Sequence, residues 1–271
     1  MIKNIHLLTY ADGISSNSGL DYTTTQKMLI ESIKDKTKYN VIFHTHNLNT
    51  IINKEWFLHI KEFPNIDYKA IFPHSQQYKY WNRNGYYNAW KVFLVKEVYD
   101  SIGDDDILYY VDSSAYHQTP FQYDIDKLIE YAFFNKNVCG SFGYDVKNNS
   151  YNCCDDVRIW DYIYPESNSN IHTILNKPHI LNSWFVFSKN NDNTKFINEW
   201  NSLATKTLNN VPLIAYHHTV DQSLFNILVY KYGFKSFTNN TTHDENKNHN
   251  LVHKHLSHIP NYEIENYFKN P

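Results

Sequence analysis

Apolar runs of strand length alternate along most of the chain with longer stretches of mixed character. Ile5–Tyr10 opens the pattern as a first strand, followed by a polar loop over Ala11–Tyr22 and a helix through Thr24–Lys34. Asn40–Thr45 predicts a second strand, Lys54–Lys61 a helix and Tyr68–Phe72 a third strand. Across Tyr86–Ile102 the apolar residues Trp90, Phe93, Leu94 and Val98 recur at helical spacing. Gly103-Asp104-Asp105-Asp106 breaks that helix. Ile107–Val111 then reads as an unbroken apolar strand of the kind buried on both faces. Further along, Ile125–Asn135 is predicted helical and Val138–Phe142 and Leu181–Phe187 are predicted strands. Asn193–Leu208 and Asp221–Tyr232 complete the helices, with Gly233 as the C′ residue of the last.

Strands alternating with helices imply a three-layer α/β/α sandwich around a mostly parallel central sheet. No linker rich in Pro, Gly or Ser divides the 271 residues and no repeat appears, so a single domain is expected. Asn is abundant, Lys far outnumbers Arg (only Arg83 and Arg158), and Gly and Ala are scarce, a bias typical of an AT-rich genome. The aromatic content of 17% and the spread of apolar clusters argue against disorder. Only Thr238 to His258, rich in Asn and His, has low-complexity character.

Charge narrows the function. With 25 Lys+Arg against 28 Asp+Glu the net charge is −3, which offers no general attraction to phosphate backbones and disfavours nucleic acid as a partner. No run approaches the ~18 apolar residues of a transmembrane helix. The N-terminal MIKNIHLLTYADG lacks the apolar core and cleavage site of a signal peptide. Three Cys, with Cys153 and Cys154 adjacent, form no disulfide framework and suit a reducing compartment, so a cytoplasmic location is expected.

In open α/β sheets ligands lie beyond the carboxyl ends of the strands, which directs attention to Asp112, Ser113, Ser114, Ala115, Tyr116 and His117 after the buried strand. An acidic residue there needs a partner, such as a divalent cation or a hydrogen-bonded loop. Asp followed by two Ser is equally good turn chemistry. In Asn82–Lys91 (NRNGYYNAWK), the planar fork of Arg83 suits a diphosphate or carboxylate, and Lys91 opens an apolar helix from which it can meet an anion. A solvated loop with aromatic core anchors accounts for the same residues. In His217–Asn226 (HHTVDQSLFN), Asp221 stands at a helix start, where capping is the common role, and Gln222 offers an amide to a sugar hydroxyl. The tail carries His243, His249, His253, His255 and His258. No recognised structural zinc spacing is present, and a solvated tail competes with a His completing a metal site begun by Asp112.

These segments together resemble a family. Asn82–His117, NRNGYYNAWKVFLVKEVYDSIGDDDILYYVDSSAYH, resembles the block R-G-x-G-Y-W-x-W-K-P…L-x-x-I-x-x-G-D-x-L-x-Y-x-D-x-G of GT-A-type glycosyltransferase-like proteins of bacterial polysaccharide loci and giant viruses. Asn182–Glu199 followed by Trp200 resembles that family's segment of a strand, a basic residue and a helix ending in E-W. His217–Phe234 is similar to its H-R-x-D-Q-S-x-x-x-x-L-x-x-K-Y-G block, and Asp221-Gln222 is also similar to the D-Q pair of family 8 glycosyltransferases. The blocks lie in order between about Tyr80 and Phe237. Three departures stand out: Ser114 replaces the second Asp of D-x-D, His218 replaces an Arg, and Val92 replaces a Pro.

The resemblance implies a GT-A-like nucleotide-diphospho-sugar transferase fold. It implies a nucleotide-sugar-binding half over 1–117, an acceptor half over 118–237 and a His/Asn-rich tail over 238–271. The implied activity is transfer of a sugar from a nucleoside-diphosphate sugar, a UDP- or GDP-sugar, to a glycan or protein acceptor, as in polysaccharide biosynthesis. Mn²⁺ or Mg²⁺ is the implied cofactor, with hard oxygen ligands and a Lewis-acid role at the departing diphosphate. Asp112 would hold the metal with His253 or His255. Thr9, Tyr10, Asp12, Arg83, Lys91, Ser114 and Trp184 would bind substrate, Tyr10 by stacking on the base and Trp184 against a sugar ring. Asp221 and Gln222 would sit at the reacting sugar, Asp221 orienting hydroxyls or, if the reaction inverts rather than retains configuration, acting as the base, with Asp155 or Asp156 next. Arg83 and Lys91 balancing the leaving group without metal is the other arrangement. A non-catalytic nucleotide- or glycan-binding protein on the same scaffold is the rival that the lost second Asp favours. A nucleotidyltransferase ranks last, because Asp12-Gly13-Ile14-Ser15-Ser16 carries no basic phosphate loop.

Overall fold

The computed structural model describes residues 1–12, 21–34, 36–57, 89–113, 115–117, 125–135, 137–141, 182, 184–210, 220–238 and 253–255. In chain order the elements are β1 (Asn4–Tyr10), α1 (Tyr22–Ile33), β2 (Asn40–His46), α2 (Leu48–Ile51), α3 (Ala89–Ser101), β3 (Ile107–Val111) and β4 (Ala115–His117). There follow α4 (Ile125–Asn135), β5 (Asn137–Ser141), β6 (Trp184–Ser188), α5 (Asn191–Asn210), α6 (Val220–Lys231), β7 (Lys235–Thr238) and β8 (His253–His255). The expected strand at Tyr68–Phe72 and the end of the expected helix at Lys54–Lys61 lie outside the described residues. Among the described residues no helix is long and apolar enough to cross a membrane.

Six strands form one sheet in the order β2-β1-β3-β6-β5-β7. β1 runs parallel to β2 and β3, and β5 runs parallel to β7. β6 is antiparallel to both of its neighbours, β3 and β5. The sheet is therefore mostly parallel, as the element pattern predicts, with one reversed strand at its centre. β4 and β8 pair separately as an antiparallel ribbon.

The strict alternation of side chains along a strand divides the core into two layers. Leu108 and Tyr110 of β3 and Phe185 and Phe187 of β6 pack with α3, α5 and α6, whereas Ile107, Tyr109, Val111, Trp184 and Val186 pack with α1 and α4. Both central strands are buried on each face, which is why their sequences show no polar alternation. Phe185 anchors the first layer: its ring stacks on Tyr110 at 4.9 Å and meets Trp200 edge-on at 5.9 Å. α6 ends in a Schellman motif. Gly233, at φ 64°, donates its N–H to Tyr230 O, and Phe234 donates to Val229 O.

Polar side chains knit the amino half of the sheet. Asp106, just before β3, accepts from Asn4 Nδ2 at 2.8 Å and from Gly103 N at 3.0 Å, and faces His6 Nε2 at 3.3 Å. A carboxylate only accepts, so His6 donates from Nε2 to Asp106, and its Nδ1 lies 2.9 Å from His44 Nε2. Burial, then the neighbouring His6 and His46, push the His44 pKa down to about 4. The folded state therefore favours neutral His44, and its stabilising contribution is complete above the unfolded value near 6.5 and is lost as pH falls toward 4. We expect the melting temperature of the wild type to fall over that window and His44→Gln to flatten the fall, measured by thermal denaturation at stepped pH; an unchanged slope would show that His44 does not carry it.

Candidate functional site

Lys91 lies in the first turn of α3, where an apolar helix face presses against the sheet and takes the lysine stem with it. Its Nζ is buried (side chain 6% exposed) and reaches Asp221 Oδ2 at 3.0 Å and Asp112 Oδ1 at 3.2 Å. It also donates to Asn182 Oδ1 at 3.2 Å and lies 5.0 Å from the centroid of the Tyr110 ring. Asp112 follows β3 directly and is the outermost member, its side chain 29% exposed. Tyr110 sends its hydroxyl to Asp112 Oδ1 at 2.6 Å. Asp221 stands in the first turn of α6 with its side chain 2% exposed.

Asn182 joins these parts. Its Nδ2 donates to Asp221 Oδ2 at 3.0 Å and its backbone N–H donates to Gln222 Oε1 at 2.9 Å. From below, the indole N–H of Trp200 donates to the Asp221 carbonyl at 3.2 Å, tying the node to the aromatic core. Asp221 Oδ1 is buried and has no hydrogen-bond partner among the described residues. Such an acceptor is costly to leave unmet, and it is suited to a ligand hydroxyl.

Burial drives the Asp221 pKa up, opposed by the Lys91 charge and the Asn182 hydrogen bond. Burial pulls on Lys91 in the opposite sense, but the Asp112 and Asp221 carboxylates outweigh it and hold the ammonium protonated above the ordinary lysine range. Tyr110 is pushed well up by burial and by Asp112, so it serves as a donor. Asp112 and Asp221 thus share one ammonium at the carboxyl end of β3.

Thr9, Tyr10, Asp12 and Trp184 are further candidate residues that the structure describes. Tyr10 ends β1 with its ring stacked 4.0 Å from Trp90, and both rings are nearly buried, so Trp90 covers one Tyr10 face. The Tyr10 hydroxyl, the Trp90 indole N–H and Thr9 Oγ1 are buried without partners among the described residues. Thr9 O accepts from Gln26 Nε2 at 3.3 Å. Asp12 follows β1 at intermediate burial. Trp184 is 3% exposed within the layer formed with α1 and α4. Arg83, Ser114, Asp155 and Asp156 lie outside the described residues. The β8 backbone pairs with β4, setting His255 opposite Ala115 and His253 opposite His117, so the tail segment runs beside the chain that leaves Asp112.

No group of three or more His, Cys, Asp or Glu suited to a metal ion occurs among the described residues. Asp112 offers a divalent cation one partly exposed carboxylate whose Oδ1 already meets Lys91 and Tyr110, while Asp221 is tied to Lys91. Asn182 opens the second family-like block but was given no role there, because asparagine is common throughout the chain. Its signal in the sequence is its place at the head of that block and of the apolar run ending in WFVFS.

Removing the shared cation leaves two carboxylates facing one another in a buried site. Lys91→Met is expected to destabilise the fold by about 3–5 kcal/mol, and Lys91→Met combined with Asp221→Asn to recover part of that loss. Denaturant unfolding of the four members of the cycle reads both effects; additive losses would show that the pair is not coupled.

No family model matches the chain, and no curated protein matches it. Among solved structures it is similar to a glycosyltransferase involved in glycosylation of the major capsid of PBCV-1, at 14% identity over 98% of each chain and a TM-score of 0.41. It is also similar to mouse xyloside xylosyltransferase 1 in its apo form, at 9% identity over 87% of this chain and 84% of that one, with a TM-score of 0.44.

Proposed function

We propose that this protein is a glycosyltransferase of GT-A-like architecture, which moves a sugar from a nucleoside-diphosphate sugar to a hydroxyl of a glycan or protein acceptor. One observation carries the reading. The three sequence blocks that resemble such enzymes are far apart in the chain, yet each sends polar side chains to the same node. The first supplies Lys91 and Asp112, the second Asn182, and the third Asp221 and Gln222. The node lies at the carboxyl end of β3, where open α/β sheets bind ligands.

The chemistry follows from the charges. The bond from the anomeric carbon to the phosphate oxygen breaks, a bond to the acceptor oxygen forms, and the acceptor proton needs a base. Asp221 Oδ1 is the open carboxylate oxygen, and burial raises its affinity for a proton. Lys91 holds Oδ2 and keeps the carboxylate charged and oriented; with its ammonium committed to two carboxylates, its role is this internal tie rather than a clamp on phosphate. Arg83 is then the side chain assigned to the diphosphate. A divalent Mn²⁺ or Mg²⁺ would be held by Asp112, joined by His255 or His253 of β8, with diphosphate oxygens among its ligands. When bound, it would neutralise charge on the departing nucleoside diphosphate.

UDP- and GDP-sugars with Mn²⁺, Mg²⁺ or EDTA should be screened by thermal shift and by donor consumption. The donor that raises the melting temperature should be consumed in the presence of an acceptor. Asp221→Asn should lower turnover by about 10²-fold or more while retaining the donor-induced shift. Full transfer by Asp221→Asn would remove it as the base. Binding with neither transfer nor donor hydrolysis would establish the binding-protein alternative, which the Ser114 departure favours.

A further inference from the structure

The geometry points to Asn182 as the positioning residue that divides the two oxygens of Asp221, tying Oδ2 into the fold and leaving Oδ1 for an incoming hydroxyl. The proposal rests on the transferase reading only for the identity of that hydroxyl. Asn182 spends all three of the polar groups that face the node. Its Oδ1 accepts from Lys91 Nζ, its Nδ2 donates to Asp221 Oδ2, and its backbone N–H donates to Gln222 Oε1. Lysine has only donors and an ionised carboxylate only acceptors, so a residue bridging the two must offer one of each. An amide does so. A carboxylate of the same shape offers Lys91 an acceptor but loses the donor to Asp221.

The consequence is rotational. Oδ2 receives Lys91 of α3 at 3.0 Å and Asn182, just ahead of β6, at 3.0 Å, which fixes the carboxylate plane. Oδ1 is left buried without a partner among the described residues. The same residue holds the side-chain oxygen of Gln222 inward, which turns the Gln222 amide nitrogen away from the Asn182 backbone. Asn182 is 3% exposed, so solvent does not replace these bonds when they are lost.

The test is a titration of Asp221 in the whole protein, read from the ¹³C carboxyl resonance of aspartate-labelled samples and assigned with Asp221→Asn. Asn182→Asp, which preserves shape, and Asn182→Ser, which keeps one hydroxyl, are compared with the wild type after thermal melts confirm folding. Loss of the amide donor should move the Asp221 midpoint up by at least about one pH unit in Asn182→Asp and by less in Asn182→Ser. With an active donor and acceptor, the acid limb of the kcat profile should move with it. An Asp221 midpoint within about 0.3 units of wild type in a folded Asn182→Asp protein would overturn the proposal. A shifted midpoint in a protein that transfers no sugar would uphold Asn182 and reject the transferase reading, so the two failures are distinct.

Discussion

A buried ammonium that serves two carboxylates constrains this molecule more than any other contact. Lys91 loses its hydration in the first turn of α3, and isolated burial of that charge would cost several kcal/mol. Asp112 and Asp221 offset the loss only if three separate elements arrive in register: the start of α3, the end of β3 and the start of α6. The surrounding structure supplies that register. Tyr110 and Phe185 stack beneath the node, Trp200 anchors the Asp221 backbone, and the apolar faces of α3, α5 and α6 close one layer of the core. The polar node and the aromatic layer are thus interdependent. The packing places the charges, and the charges fix the helix starts.

Much of the architecture was legible because strongly periodic segments leave few choices. Ile107–Val111 and Ile125–Asn135 are observed with the bounds expected from their patterns, and the Asp221–Tyr232 helix shifts by one residue. Gly233 takes the left-handed conformation that its place after the last helical residue demands. The reversed direction of β6 was not legible. Trp184–Ser188 is apolar at four of its five positions, and a strand buried on both faces has the same local pattern whichever way it runs. The short β4, β7 and β8 were missed for a related reason: three or four residues do not establish a period.

The site divided along similar lines. Strand-end position directs attention to Asp112, and a helix start to Asp221 and Gln222, because charge at those places always calls for an explanation. Tyr10 and Trp184 illustrate the limit. In a chain this rich in aromatic residues the core needs most of them, and the structure has Tyr10 against Trp90 and Trp184 within the layer of α1 and α4. Asn182 shows the reverse case. Its importance comes wholly from partners about 40 and 91 positions away, which no local spacing encodes.

The central, reversed β6 also orders events in time. β1, β2 and β3 are all contained in the first 111 residues, so half of the sheet can assemble while the rest is still being made. The second edge of β3 meets its partner only when residues 184–188 have been synthesised, and Asp221 arrives later still. At ~5–20 residues per second the nascent chain waits several seconds between those stages. Through that interval the site lacks both Asn182 and Asp221, so it is completed only after residue 221 has been made.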